Sequence, residues 1–70
     1  MFMKINQQQA FDLGVLHAKG FKGARRIAAF SCACSEVIRR DFKSGEIAAD
    51  LIADHEITSM ANRFGDEINW

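Results

Sequence analysis

Apolar positions in this chain recur at helical rather than strand spacing, and Gly, Ser and Asn punctuate the runs. Proline and tyrosine are absent and alanine is abundant, so nothing forces the backbone out of helix. The pattern predicts an all-α fold, a small three- or four-helix bundle in a single domain over residues 1–70. Asn6 reads as an N-cap with Gln9 at the third helical position, a spacing that lets each side chain satisfy the other's backbone N–H. The first helix is predicted at about 7–19, closed by Gly20, which can take the left-handed conformation. Phe11, Val15 and Ala18 share a face with Gly14 beside them, whereas Leu13 and Leu16 point elsewhere. One core does not easily cover both sets, so Leu13 and Leu16 are candidate partner-binding residues on a second contact surface.

A second helix is predicted at about 24–43, ending at Ser44-Gly45. Its seam is Ile27, Phe30, Cys34, Val37, Ile38 and Phe42. Its other sides carry a small-residue set (Ala28, Ala29, Cys32, Ala33) and a basic set (Arg25, Arg26, Arg39, Arg40, Lys43). A third helix, at about 45–53, starts from a Ser44 cap with Glu46 in its first turn. Ile47, Ala48, Leu51 and Ile52 form its expected apolar face. Past Ala53 the phase fails, because Ile57, Met60, Ala61 and Phe64 fall on the opposite side. Either the helix breaks near Ala53–Glu56 and a fourth follows at about 55–64, capped by Asp54, or one long helix buries two faces in an intertwined oligomer. Trp70, at the end of the tail, either folds onto the core or anchors an apolar partner.

Size adds a constraint. A domain of 70 residues buries only about 60% of the surface its unfolded chain exposes. A lone core of this size rarely supplies more than roughly 3–5 kcal/mol, which points to a homo-oligomer. Disulfides do not serve as the staple. Cys32 and Cys34 would lie about 200° apart around a helix, and two cysteines fall short of a secreted disulfide framework. No run of about 18 apolar residues occurs. A cytoplasmic protein with no membrane association is expected.

Charge changes the picture more than size does. The net charge is zero, yet residues 1–43 hold eight Lys/Arg against three Asp/Glu, and residues 44–70 hold one against six. Such asymmetry points to a charged partner or to one half docking on the other. On the acidic side, Glu46, Asp50 and Asp54 recur at i, i+4, i+8 and form a candidate partner-binding stripe. Pairing with Arg39, Arg40 and Lys43 across a helix hairpin is the competing use of those acids. On the basic side, Lys19, Lys22, Arg25, Arg26, Arg39 and Arg40 are candidate anion- or nucleic-acid-binding residues. Four of them surround Gly20-Phe21-Lys22-Gly23, just before the second helix, where free backbone N–H groups favour anions. That stretch loosely resembles the glycine hairpin of helix–hairpin–helix DNA-binding modules, but with two residues between the glycines where one is usual. Its Gly-x-x-Gly spacing is also similar to the clamp loop of KH domains, which require a β-sheet.

No catalytic constellation is present. His17 and His55 have no Ser or Cys in a fixed relation to them, and Cys-x-Cys on a helix cannot aim both sulfurs at one zinc ion. No phosphate-binding or dinucleotide fingerprint occurs. The expectation is a non-enzymatic protein–protein interaction module, a small regulator or inhibitor without cofactor or metal. A nucleic-acid binder acting through the basic loop is the alternative, and a structural subunit of a larger assembly is a third.

Overall fold

The computed structural model describes residues 4–69. They form α1 (Gln7–Ala18), α2 (Gly23–Cys34), α3 (Glu36–Ala48), a 3-10 turn at Ala49–Leu51, α4 (Asp54–Phe64) and a second 3-10 turn at Gly65–Asn69. Among the described residues there is no strand, and the architecture is the small all-α bundle that the periodicity predicts. No described helix is long and apolar enough to cross a membrane. Trp70 lies outside the described residues.

The entry to α1 follows the local signal. Gln9 N–H donates to Asn6 Oδ1 (2.8 Å), and Asn6 N–H donates to Gln9 Oε1 (3.0 Å). The exit is equally local. Gly20 has φ +97°, its N–H donates to the His17 carbonyl (3.1 Å), and Phe21 N–H donates to that of Leu16 (3.0 Å). These paired bonds satisfy the last carbonyls and turn the chain sharply.

Between its caps, α1 is the central helix. Ala10, Asp12, Leu13, Gly14, Val15 and Leu16 are all buried, with α3 packed on one side and α2 and α4 on the others. This corrects the expected second contact surface. Leu13 and Leu16 are fully buried inside the chain because three helices surround α1, so apolar residues on several sides are needed to fill one core. Ile38, Phe42, Ala49, Ile57, Ala61 and Ile68 complete that core from the other elements.

The closest packing is between α1 and α3. A Cβ on Gly14 would collide with the carbonyl oxygen of Phe42, and a Cβ on Gly45 would collide with that of Phe11. The contact is reciprocal, and the spacing from Phe11 to Gly14 repeats from Phe42 to Gly45. The helices run in the same general direction, since Asp41 shares a groove with Gln7 and Gln8, His17 lies by Glu46 and Lys19 by Asp50. Glycine on both sides brings backbones together, with Cα–H groups facing carbonyl oxygens.

Predicted boundaries shift at three places. The predicted second helix is two helices, because Ser35 takes an extended conformation (φ −141°, ψ 121°) and serves as C-cap of α2 and N-cap of α3. Its hydroxyl accepts from Ile38 N–H (3.3 Å), while Arg39 Nη1 donates to the Cys32 carbonyl at the end of α2 (3.3 Å). Ser44-Gly45 does not end a helix; α3 runs through it to Ala48, because Gly45 is the site of close approach rather than a stop. The later break falls at Ile52–Ala53, and Asp54 is the first residue of α4 rather than its cap.

Splitting the second helix also changes which faces are covered. Ala24, Ala28 and Ser31 of α2 turn inward, while Phe30, Cys34 and Val37 of the expected seam are exposed. Ile47 and Leu51, expected in the core, are 75% and 87% exposed.

Candidate functional site

The basic loop comes first, because its glycines were its best claim to anion binding. Both have structural roles. Gly20 terminates α1, and Gly23 packs so tightly on the final 3-10 turn that a Cβ would strike the Glu67 carbonyl oxygen. The first residue of α2 therefore packs against carbonyl groups of this chain's own final turn, whose Ile68 is buried. Arg26 Nη2 donates to the Glu67 carbonyl (3.5 Å), Lys19 Nζ lies 3.8 Å from Asp50 Oδ1, and Arg39 is held by the Cys32 carbonyl. Lys22, Arg25 and Arg40 stand exposed. The six candidate cations do not gather into one patch around the loop; Arg39 and Arg40 belong to α3.

The acidic stripe is also divided. Glu46 sits on α3, Asp50 in the following 3-10 turn and Asp54 at the start of α4, so no single helix carries all three. Their pairing is not the one that sequence proximity suggested. Glu46 Oε2 accepts from His17 Nδ1 at 2.6 Å, with the His17 ring 5.5 Å from that of Phe42. Asp50 faces Lys19 of the supposedly remote loop, and no described ion pair joins the stripe to Arg39, Arg40 or Lys43. The reason is the parallel α1–α3 contact, which carries the end of α1 alongside the end of α3. The Lys19–Asp50 pair is long and Asp50 is 97% exposed, so its carboxylate remains solvated and contributes little.

What remains at the surface is a shoulder formed by α3 and the turn after it. Ile47 and Leu51, one helical turn apart, project into solvent with Ser44 and Arg40 one and two turns before Ile47. Along the chain, exposed Arg40 and Lys43 precede Ile47 and exposed Asp50 follows it, with Asp54 beyond the break at the start of α4. Large aliphatic side chains left this exposed lose hydrophobic stabilisation that another surface could supply.

Other polar groups are internal fastenings. Asp12 is buried and takes hydrogen bonds from Gln8 Nε2 (3.1 Å) and Arg63 Nη1 (3.4 Å), tying α1 to α4. The four-residue spacing of Gln8 and Asp12 was the one sequence signal for that role. Ser31 Oγ accepts from Ile5 N–H (3.0 Å). Asp41 Oδ2 is buried without a hydrogen-bond partner beside an open 420 Å³ groove lined by Gln7, Gln8 and Phe11. A second depression, 340 Å³, lies between Phe21, the end of α4 and the final turn. Neither groove is lined by a histidine, cysteine or serine. Cys32 and Cys34 are both free, and burial pushes the Cys32 thiol pKa up. Among the described residues, no three His, Cys, Asp or Glu side chains gather as a metal site would require.

Comparison with protein-family models, curated proteins and solved structures finds no match to this chain.

Proposed function

We propose that this protein is a non-enzymatic protein–protein interaction module, a small regulator or inhibitor that works by contact through the α3 shoulder. The exposure of Ile47 and Leu51 between flanking charges carries this reading. Aliphatic side chains at the centre with Asp50 and Asp54 at the edge form the apolar-centre, polar-rim arrangement of a protein contact. The acidic stripe keeps a part in this reading through Asp50 and Asp54, while Glu46 is engaged by His17. Leu13 and Leu16 are buried in the core and form no part of this surface.

Nucleic-acid binding through Lys19–Arg26 is less well supported. Gly23 packs against this chain's own carbonyls, and Lys19 and Arg26 have partners within the fold. Phosphate binding by the remaining cations would show as retention on heparin that falls steeply with salt.

A photocrosslinking residue placed at position 51 tests the proposal in the native host. The expected result is one predominant protein adduct, lost when Ile47→Asp is added. If position 51 gives no protein adduct while a control at exposed Arg25 does, the shoulder is not a contact surface.

A further inference from the structure

The shoulder of α3 carries opposite charges at its two ends, and a surface of that kind matches itself when turned end for end. Arg40 and Lys43 lie on the N-terminal side of Ile47, and Asp50 lies on the C-terminal side. The exposed positions Arg40, Ser44, Ile47 and Leu51 follow three- and four-residue steps, a helix stripe that continues from α3 into the 3-10 turn. We infer that the occupant of this shoulder is a second copy of the chain, packed antiparallel across α3 about a two-fold axis between Ser44 and Ile47.

In that register Ile47 of each copy sits over the small Ser44 of the other. Leu51 lies along the alkyl stem of Arg40, and the Arg40 guanidinium reaches Asp50 across the axis. A two-fold contact forms every such pair twice. Three observations favour a second copy over an unrelated partner. The charge order along α3 is complementary to its own reversal, whereas a different protein would have to present the same reversed pattern. Asp50 is almost fully solvent-exposed despite its long pair with Lys19, so it is available to the partner. The chain's net charge is zero, so no long-range repulsion opposes association of two copies. Each copy brings two large apolar side chains, Ile47 and Leu51, to the centre of the contact, so a weak, concentration-dependent dimer is expected.

This inference rests on the shoulder being a protein contact surface, and the test separates the two claims. Sedimentation equilibrium from 10 µM to 1 mM should show conversion from the 7.8 kDa monomer to dimer. Arg40→Asp alone and Asp50→Arg alone should each shift the midpoint at least tenfold to higher concentration, since each places like charges together twice. An equimolar mixture of the two variants should restore dimer, because opposite charges then face each other at both ends. Circular dichroism of each variant checks that it remains folded. A wild-type monomer at 1 mM, or a mixture that stays as monomeric as its components, overturns the inference. If the chain is monomeric while position 51 crosslinks to a different protein, the second copy is ruled out and the contact-surface reading stands. If position 51 yields no adduct, both fail.

Discussion

The two sides of α3 follow the usual amphipathic rule over most of its length and depart from it at Ile47 and the Leu51 that follows. Its inner side, against α1, presents Ile38, Phe42, Gly45 and Ala49; its outer side presents Ser44, Ile47 and, in the turn that follows, Leu51. By hydrophobicity alone, Ile47 and Leu51 belong inside and Gly45 at a helix end. The close approach of Phe11 and Phe42 carbonyls to the facing glycines decides otherwise, because only a residue without a Cβ fits there. The Gly14–Gly45 contact thus fixes which side of α3 meets α1, and Ile47 and Leu51 are left outside while Ile38 and Phe42 stay in the core. A side selected for tight backbone contact and a side with unsatisfied apolar surface call for different explanations, the first intramolecular and the second intermolecular.

Substitutions on the two sides should therefore differ sharply in cost. The largest effect is expected for Gly45→Ala, whose Cβ has no space beside the Phe11 carbonyl. A loss of about 3 kcal/mol or more would match most of the stability available to a core this size. Far-ultraviolet circular dichroism at 25 °C should show a largely unfolded chain, and a folded variant with unchanged urea midpoint would remove the steric account of α3's orientation. Next come paired truncations. Leu16→Ala should cost about 2–5 kcal/mol, while Leu51→Ala should cost less than about 0.5 kcal/mol in the monomer, measured by urea titration at low micromolar concentration. Equal costs would mean that Leu51 is buried within the chain and the shoulder does not exist. The smallest clear effect is at the hinge between α2 and α3. Ser35→Ala removes the cap acceptor for Ile38 N–H and should cost about 1 kcal/mol by the same titration. A stabilised variant would instead favour one continuous helix across residues 24–48.

The hinge shows why the ends of the first helix were legible while the division of residues 24–53 into helices was not. Asn6 with Gln9, and Gly20, give boundaries from contacts within a few residues, and both are realised. Ser35 has the chemistry of a cap but stands in an unbroken apolar rhythm, with neither Pro nor Gly to mark a stop. Gly45 has the chemistry of a stop yet is retained within a helix, because its partner is Gly14 in another helix. The candidate site follows the same division. Asp50 and Asp54 are recognisable in the sequence as acids of a candidate surface, whereas the neighbour of Glu46 is not, since His17 meets it only through the parallel α1–α3 contact. Lys19, far from Asp50 along the chain, reaches it for the same reason.

Periodicity, composition and capping residues by themselves determined an all-α chain, the start and end of its first helix and the unequal distribution of its charge. These depend on neighbours one or two turns apart, where residue type is sufficient to state the physics. Tertiary structure alone decided that Leu13 and Leu16 are core, that the basic loop's glycines close and pack helices, and that Ile47 and Leu51 face outward. Each of those outcomes depends on which backbones approach most closely. That is a property of two facing surfaces, and no single stretch of sequence contains both.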